Sequence, residues 1–366
     1  MKKERRAPDF ILFVIVLLLL TVGIVMVYSS SYVYAQVTFD DGAHFLKNQL
    51  VWALLGIAAM VVVMNIHYKT YLKWANIIFG AAVILLVVLL IPGVGITVKG
   101  ATRSIGVGQF TFQPAEIAKL ALVIFLAKYL AQNKEKLKEL IRGLALPLLL
   151  VGGVCGLILL QPDLGTAATI AGTAFLMMLA AGARISHLSL LGLLGGCLVA
   201  LAIVVEPYRM KRIMAFRDPW SDPLGNGFQT IQALLAVGSG KLFGAGLGQG
   251  RQKFLYLPEQ HTDFIFAVLA EELGFIGTTF VLLLFLAFMW RGLKIAIKAP
   301  DSFAALLAAG VTIMVVLQAV INIGVVTGSL PITGITLPFI SYGGSSLTLN
   351  LLGIGILLNI SRYVRE

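Results

Sequence analysis

Pro258-Glu259-Gln260-His261-Thr262-Asp263-Phe264-Ile265-Phe266-Ala267 marks the point where the one long polar segment of this chain turns into an apolar run. That run, residues 263–289, is longer than the roughly 20 residues a membrane helix needs. Asp263 therefore stands where water meets hydrocarbon, and a carboxylate at that depth is costly unless paired, hydrated or used. Nine further runs of the same kind surround it: 10–28, 48–66, 71–92, 114–131, 143–160, 164–182, 187–206, 303–327 and 345–361. Mean hydropathy is +0.95 and only 12% of residues are charged, against about 25% in soluble domains. A soluble fold is excluded. The spacing predicts an all-α polytopic membrane protein of ten transmembrane helices, a single domain over residues 1–366. The first run follows a basic segment but lacks a small-residue cleavage site, so it is read as a retained anchor.

The net charge of +11 does not point to nucleic acid, because the charges are sorted by side. Lys2–Arg6, Lys69 and Lys73, Lys128–Arg142, Arg184, Arg291–Lys298 and Arg362–Arg365 all fall on the N-terminal side of the ten spans. By the positive-inside rule that side is cytoplasmic, with both termini inside. Cys155 and Cys197 lie within spans, so no structural disulfide is expected. Four segments then face outward. Residues 29–47 read as a short aromatic loop, 93–113 as a small hairpin or re-entrant loop, and 328–344 as a turn-rich connection. Residues 207–262 form a large extracellular loop between helices 7 and 8. Loops beyond about 12–15 residues usually carry function, and the run Ile231–Val237 suggests a partial helix at the bilayer.

The candidate chemistry gathers on that outer face. Asp263 is either a general base or a ligand for a divalent cation (Mg or Mn), or else a carboxylate that caps its helix. Glu259 and His261 flank it as candidate substrate contacts. Pro114 suits the first turn of the fourth span, which places Glu116 and Lys119 three residues apart on one helical face. The pair is either a self-neutralising packing element or a cation held ready for phosphate. Asp163, in Gln161-Pro162-Asp163-Leu164-Gly165-Thr166, is a site residue or ordinary turn chemistry. Lys99, Arg103, Arg209, Lys211, Arg212, Arg217, Arg251 and Lys253 are solvated charges or an anion-binding set, Arg being suited to bidentate phosphate contact. Glu271 and Glu272 lie deeper, where a transporter would use them to couple protons.

Other classes find less support. Gly240-Lys241 is followed by Leu242 and fails the P-loop pattern, and Gly246-x-Gly248-x-Gly250 fails the dinucleotide spacing. No nucleotide or organic cofactor is expected. This glycine-rich stretch reads as a turning loop on the membrane surface. No second His or Cys stands at zinc-ligand spacing from His261. No inverted repeat of the transporter kind is visible.

The motifs together resemble the shape, elongation, division and sporulation (SEDS) family of FtsW, RodA and SpoVE. They are Gly106-Val107-Gly108-x-Phe110-x-x-Gln113-Pro114-Ala115-Glu116-x-x-Lys119, the Gln161–Thr166 stretch, Tyr208-Arg209-Met210-Lys211-Arg212-Ile213, Leu257-Pro258-Glu259-x-x-Thr262-Asp263, Glu271-Glu272-Leu273-Gly274 and Ser341-Tyr342-Gly343-Gly344-Ser345-Ser346. The likeness runs nearly end to end, and its phrasing is nearest the FtsW and SpoVE branch. It implies a peptidoglycan glycosyltransferase of the bacterial cytoplasmic membrane that polymerises lipid II at the extracellular face. It further implies Asp263 as the catalytic residue, with Glu116, Lys119 and Asp163 in the same cavity. The implied partners are lipid II, the growing glycan strand, a class B penicillin-binding protein as transpeptidase, and other membrane proteins of division, elongation or sporulation. The residues fit that chemistry: a base for the acceptor hydroxyl, and cations such as Lys119, Arg103 and Arg212 for the departing pyrophosphate. Two other classes remain, a lipid II flippase working through Glu271 and Glu272, and a non-catalytic scaffold.

Overall fold

The computed structural model describes residues 6–98, 101–107, 110–254 and 256–364. The expectations that fall on Lys2, Lys3, Arg5, Lys99, Gly108 and Arg365 lie outside the described residues. The order is α1 (Phe10–Phe39), α2 (His44–Asn65), α3 (Lys69–Val88), β1 (Ile96–Val98), β2 (Ala101–Val107), β3 (Phe110–Phe112), α4 (Pro114–Gln132), α5 (Ala145–Leu159), α6 (Leu164–Ala180), α7 (Ile185–Val205), α8 (Pro207–Arg217), α9 (Phe228–Ser239), α10 (Ile265–Ile297), α11 (Ser302–Val326) and α12 (Gly344–Ser361). Among the described residues, eight helices are long and apolar enough to cross a membrane: α1, α2, α3, the unit 140–159 that ends in α5, α7, α10, α11 and α12. A shorter apolar helix, α6, joins them. The nineteen-residue α4 carries Glu116, Lys119 and Lys128 among apolar residues.

Among the described residues the fold is helical apart from one small antiparallel sheet, ordered β1-β2-β3, which takes up the expected hairpin at 93–113. Its middle strand carries Arg103, and β3 runs directly into the Pro114 helix start. At the centre stands α11, the most enclosed of the eight candidate spans. It packs against α4, α6, α9, α10 and α12. By contrast α7 leans mainly on α6 and α8, and nearly all of it faces outward.

One sequence expectation fails, for a reason of tertiary packing. Residues 29–39 are not loop. They continue α1 to a length of 30 residues, about 45 Å at helical rise, well beyond a hydrocarbon core of roughly 30 Å. The extension is held by burial of Ser29, Ser30 and Ser31 and by the Ser29 hydroxyl, which donates to Glu272 Oε2 at 2.6 Å. The helix stops at Asp40, in the left-handed region with φ 53°.

The glycine-rich stretch is a turning loop, largely exposed over 241–249, whose backbone pairs with a break in α10. Gly274, at φ 65° and ψ −163°, interrupts α10, and a helix broken at membrane depth must find partners for its freed backbone groups. Residues 241–246 supply them. Ala245 and Gly246 N–H donate to the carbonyls of Glu271 and Glu272 at 2.9 and 3.0 Å. In return Phe275 and Ile276 N–H donate to the carbonyls of Lys241 and Leu242 at 2.8 and 3.1 Å. The approach demands glycine: a Cβ on Gly240 would stand 1.9 Å from the Ala270 carbonyl oxygen.

Candidate active site

The connection from the large loop into α10 shapes the site. Its helix is capped at Phe264, with no side chain satisfying the first turn. The Thr262 hydroxyl turns back to Glu259, 3.0 Å from Oε2, and Glu259 itself adopts φ 53°. Neither Thr262 nor Asp263 is therefore the side-chain cap, while Asp263 still stands one residue ahead of the helix N-terminus. Its carboxylate is half-buried and has no hydrogen-bond partner among the described residues. Burial first, then the charges of Glu259 and Asp163, push its pKa up to about 7, against the opposing pull of Arg212 and Arg103. A carboxyl group of that kind is poised to change protonation near neutral pH. Gly334 faces it: a Cβ there would lie 3.6 Å from Asp263 Oδ2.

The other sequence candidates arrange themselves around this carboxylate. Lys119 and Glu116 do pair, Nζ to Oε2 at 2.8 Å, both buried. Lys119 also donates to Gln318 Oε1 at 2.6 Å. Lys119 lines the cavity as well. Asp163 is a helix cap that also lines the cavity. It accepts from Thr166 N–H and Oγ1, both at 2.9 Å. Arg103 reaches over from β2 to the same turn, donating to the carbonyls of Gln161 and Pro162 and standing 3.9 Å from Asp163. Arg212 extends from α8 to the Ile332 carbonyl at 3.3 Å and lies over the Tyr208 ring at 5.6 Å.

Two candidates stand elsewhere. Lys211 is exposed on α8, outside the cavity wall. His261 is buried in an aromatic nest, 4.4 Å from the Phe45 ring and 5.7 Å from Tyr34, and it too lies off the wall. Glu271 and Glu272 are likewise absent from the wall. Glu271 accepts from Arg251 N–H at 2.7 Å, and Glu272 takes the buried Lys253 ammonium at 2.9 Å. They bind the glycine-rich loop to α10.

Sequence reasoning missed Gln318 and Asn322. Asn322 Nδ2 donates to the carbonyls of Asp263 and Ile335, each at 2.7 Å. The available signal was an amide side chain inside an apolar span, where such groups seek partners on other helices.

These residues enclose one cavity of about 1210 Å³. Asp263, Glu259 and Asp163 share its wall with Lys119, Arg103, Arg209 and Arg212, and Val199 and Ile203 of α7 close its apolar flank. Carboxylates and fixed cations thus converge beside a hydrocarbon-lined side. Such a chamber can take a proton from a hydroxyl, hold a pyrophosphate and let a lipid chain leave sideways. Among the described residues no cluster of three metal-ligating side chains stands close enough to cage an ion. A Mg²⁺-type ion needs only one or two carboxylates when substrate phosphates complete its shell, and Asp263 with Glu259 can provide that much.

Comparison with known proteins agrees with this architecture. The profile of the FtsW–RodA–SpoVE cell cycle protein family matches residues 10–366. Stage V sporulation protein E of Bacillus subtilis is 51% identical over 365 residues, covering all of both chains. A protein named probable peptidoglycan glycosyltransferase FtsW, from Geobacter sp. (strain M18), is 44% identical over 357 residues, 98% of this chain and 97% of that one. Among solved structures, a chain from work on the structural coordination of polymerization and crosslinking by a peptidoglycan synthase complex superposes with a TM-score of 0.81 at 34% identity, over 97% of this chain and 98% of its own. Thermus thermophilus rod shape determining protein RodA gives a TM-score of 0.72 at 31% identity, over 98% of each chain. With matches that run from end to end in sequence and in fold, this chain belongs to the FtsW–RodA–SpoVE family of cell cycle proteins.

Proposed function

We propose that this chain is a peptidoglycan glycosyltransferase that polymerises lipid II for cell division or sporulation. The observation that carries the reading is Asp263: an uncapped, half-buried carboxylate with its pKa near 7, in a chamber whose other charges suit a pyrophosphate. Asp263 removes the proton from the C4 hydroxyl of the acceptor N-acetylglucosamine. That oxygen forms a bond to the anomeric carbon of the donor N-acetylmuramic acid with inversion, and the bond from that carbon to the pyrophosphate oxygen breaks. Undecaprenyl pyrophosphate leaves, its charge met by Lys119, Arg103 and Arg212. A divalent cation brought in on the pyrophosphate would be held by Asp263 and Glu259, and would add positive charge at the leaving group.

The apolar flank beside α7 suits the polyprenyl chain, and the exposure of α7 lets such a chain pass in from the bilayer. Adding α4 and α6 to the eight apolar helices gives ten spans with both termini on the basic, cytoplasmic side. The chamber then opens at the extracellular face. A class B penicillin-binding protein would take the nascent strand for crosslinking, a pairing supported by the likeness to a chain of a peptidoglycan synthase complex.

A lipid II flippase is the rival reading. It would need Glu271 and Glu272 on a path through the membrane, and both are instead spent on the glycine-rich loop. Purified protein incubated with labelled lipid II decides between the classes. Glycan polymer that is lost in Asp263→Asn supports the proposal. Leaflet exchange without polymer would establish the flippase, and normal growth on the inactive variant would establish a scaffold.

A further inference from the structure

We infer that Asn322 and Gln318, one turn apart on the same face of α11, are positioning residues that set the distance between the base and the cation of this site. The inference rests on the assignment of Asp263 as the base. Asn322 is 1% exposed. Its two amide hydrogens go to two carbonyls, those of Asp263 and Ile335, at 2.7 Å each. Both partners are acceptors only, so the orientation of the amide is fixed by chemistry. Its own oxygen is left buried without a partner, an unfavourable state that a residue chosen for packing alone would avoid. Gln318, equally buried, is oriented by the same logic. Its oxygen accepts from the Lys119 ammonium at 2.6 Å, and its nitrogen donates to the Thr336 carbonyl at 3.0 Å.

The two amides therefore grip adjacent residues, Ile335 and Thr336, of one irregular segment. Through it each controls a different reacting group. Asn322 fixes the backbone that carries the Asp263 carboxylate, and Gln318 fixes the ammonium of Lys119. That segment is itself sewn to the base: the Ser341 hydroxyl donates to the Thr262 carbonyl at 2.6 Å and accepts from Leu337 N–H at 2.8 Å. Tyr342 N–H donates to the His261 carbonyl at 2.9 Å. A rigid helix thus serves as the spacer between proton acceptor and leaving-group cation.

The test is steady-state polymerisation by the purified full-length protein, with kcat and KM for lipid II separated. Asn322→Gln keeps both hydrogens on an arm one methylene longer, so it should fold and display its fault in position alone. A displacement of about 1 Å can cost on the order of a hundredfold in rate. The expected result is kcat down by about that factor, with KM within about threefold and the melting temperature preserved. Gln318→Met, which frees Lys119 from its anchor, should raise KM more than it lowers kcat, since anion binding is loosened in ground and transition states alike. Wild-type kcat in Asn322→Gln, or an equal change in kcat and KM in both variants, overturns the inference. An active Asp263→Asn protein would instead overturn the assignment of the base, so the two failures are distinguishable.

Discussion

Asp263→Asn should abolish polymerisation and, above neutral pH, make the protein more stable than the wild type. The folded pKa is raised to about 7 from 3.8, so the folded state holds its proton over a range where the unfolded chain has lost it. Between those two values the unfolded state binds fewer protons, and stability falls as pH rises, then levels off above 7. The difference of about 3 pKa units corresponds to at most about 4 kcal/mol. Solvent entering the cavity beside this half-buried group reduces that to about half. Asparagine has no such titration. The variant should melt level with the wild type below about pH 3.8 and above it by a margin equivalent to about 2 kcal/mol at pH 8. Melting in detergent across that range measures it. Wild-type kcat/KM should meanwhile climb about tenfold from pH 6 to pH 8, since the free enzyme's base governs that limb. A melting difference that stays flat with pH, or a wild-type rate already maximal at pH 5.5, would refute the reasoning.

Lys119→Met should destabilise the protein by about 3–5 kcal/mol, because it strands the buried Glu116 carboxylate. Adding Glu116→Gln should restore the melting temperature but not the polymerisation rate. Gly240→Ala meets the Ala270 carbonyl and should cost about 1–3 kcal/mol, seen as faster hydrogen exchange in residues 240–250. Glu272→Gln removes the carboxylate from the buried Lys253 ammonium. It should expose the 240–254 loop to limited proteolysis, and resistance equal to the wild type would count against the proposed clamp.

Much of this molecule is legible from its residues. The spans are visible because a bilayer demands a length of apolar chain whatever the helix packs against. The Glu116–Lys119 pair is visible because three residues of helix fix its geometry in advance. Asp163 was readable as a cap from Pro-Asp-x-Gly, and it is one. The extension of α1 was not readable, since Ser29, Ser30 and Ser31 look like loop until Glu272 arrives from 243 residues away. Nor was the pairing of the glycine-rich segment with α10, which answers a break that only the folded backbone displays. His261 and Lys211 looked equal to their neighbours in sequence, yet side-chain direction sends one into an aromatic nest and the other to solvent.

Asp263 divides the same way. Sequence alone determined that a carboxylate stands at the membrane boundary, beside a family signature and before a long helix. It could not separate a helix cap from a base, because both use an acid at that position. Tertiary structure started the helix at Phe264 rather than at Asp263 and placed Glu259, Asp163, Arg103 and Arg212 around the group, which supports the reading as a base. It also brought Asn322 of α11 to its backbone. Local sequence sets which groups are available. Long-range packing sets their distances, and the pKa and reach of a carboxylate depend on those distances.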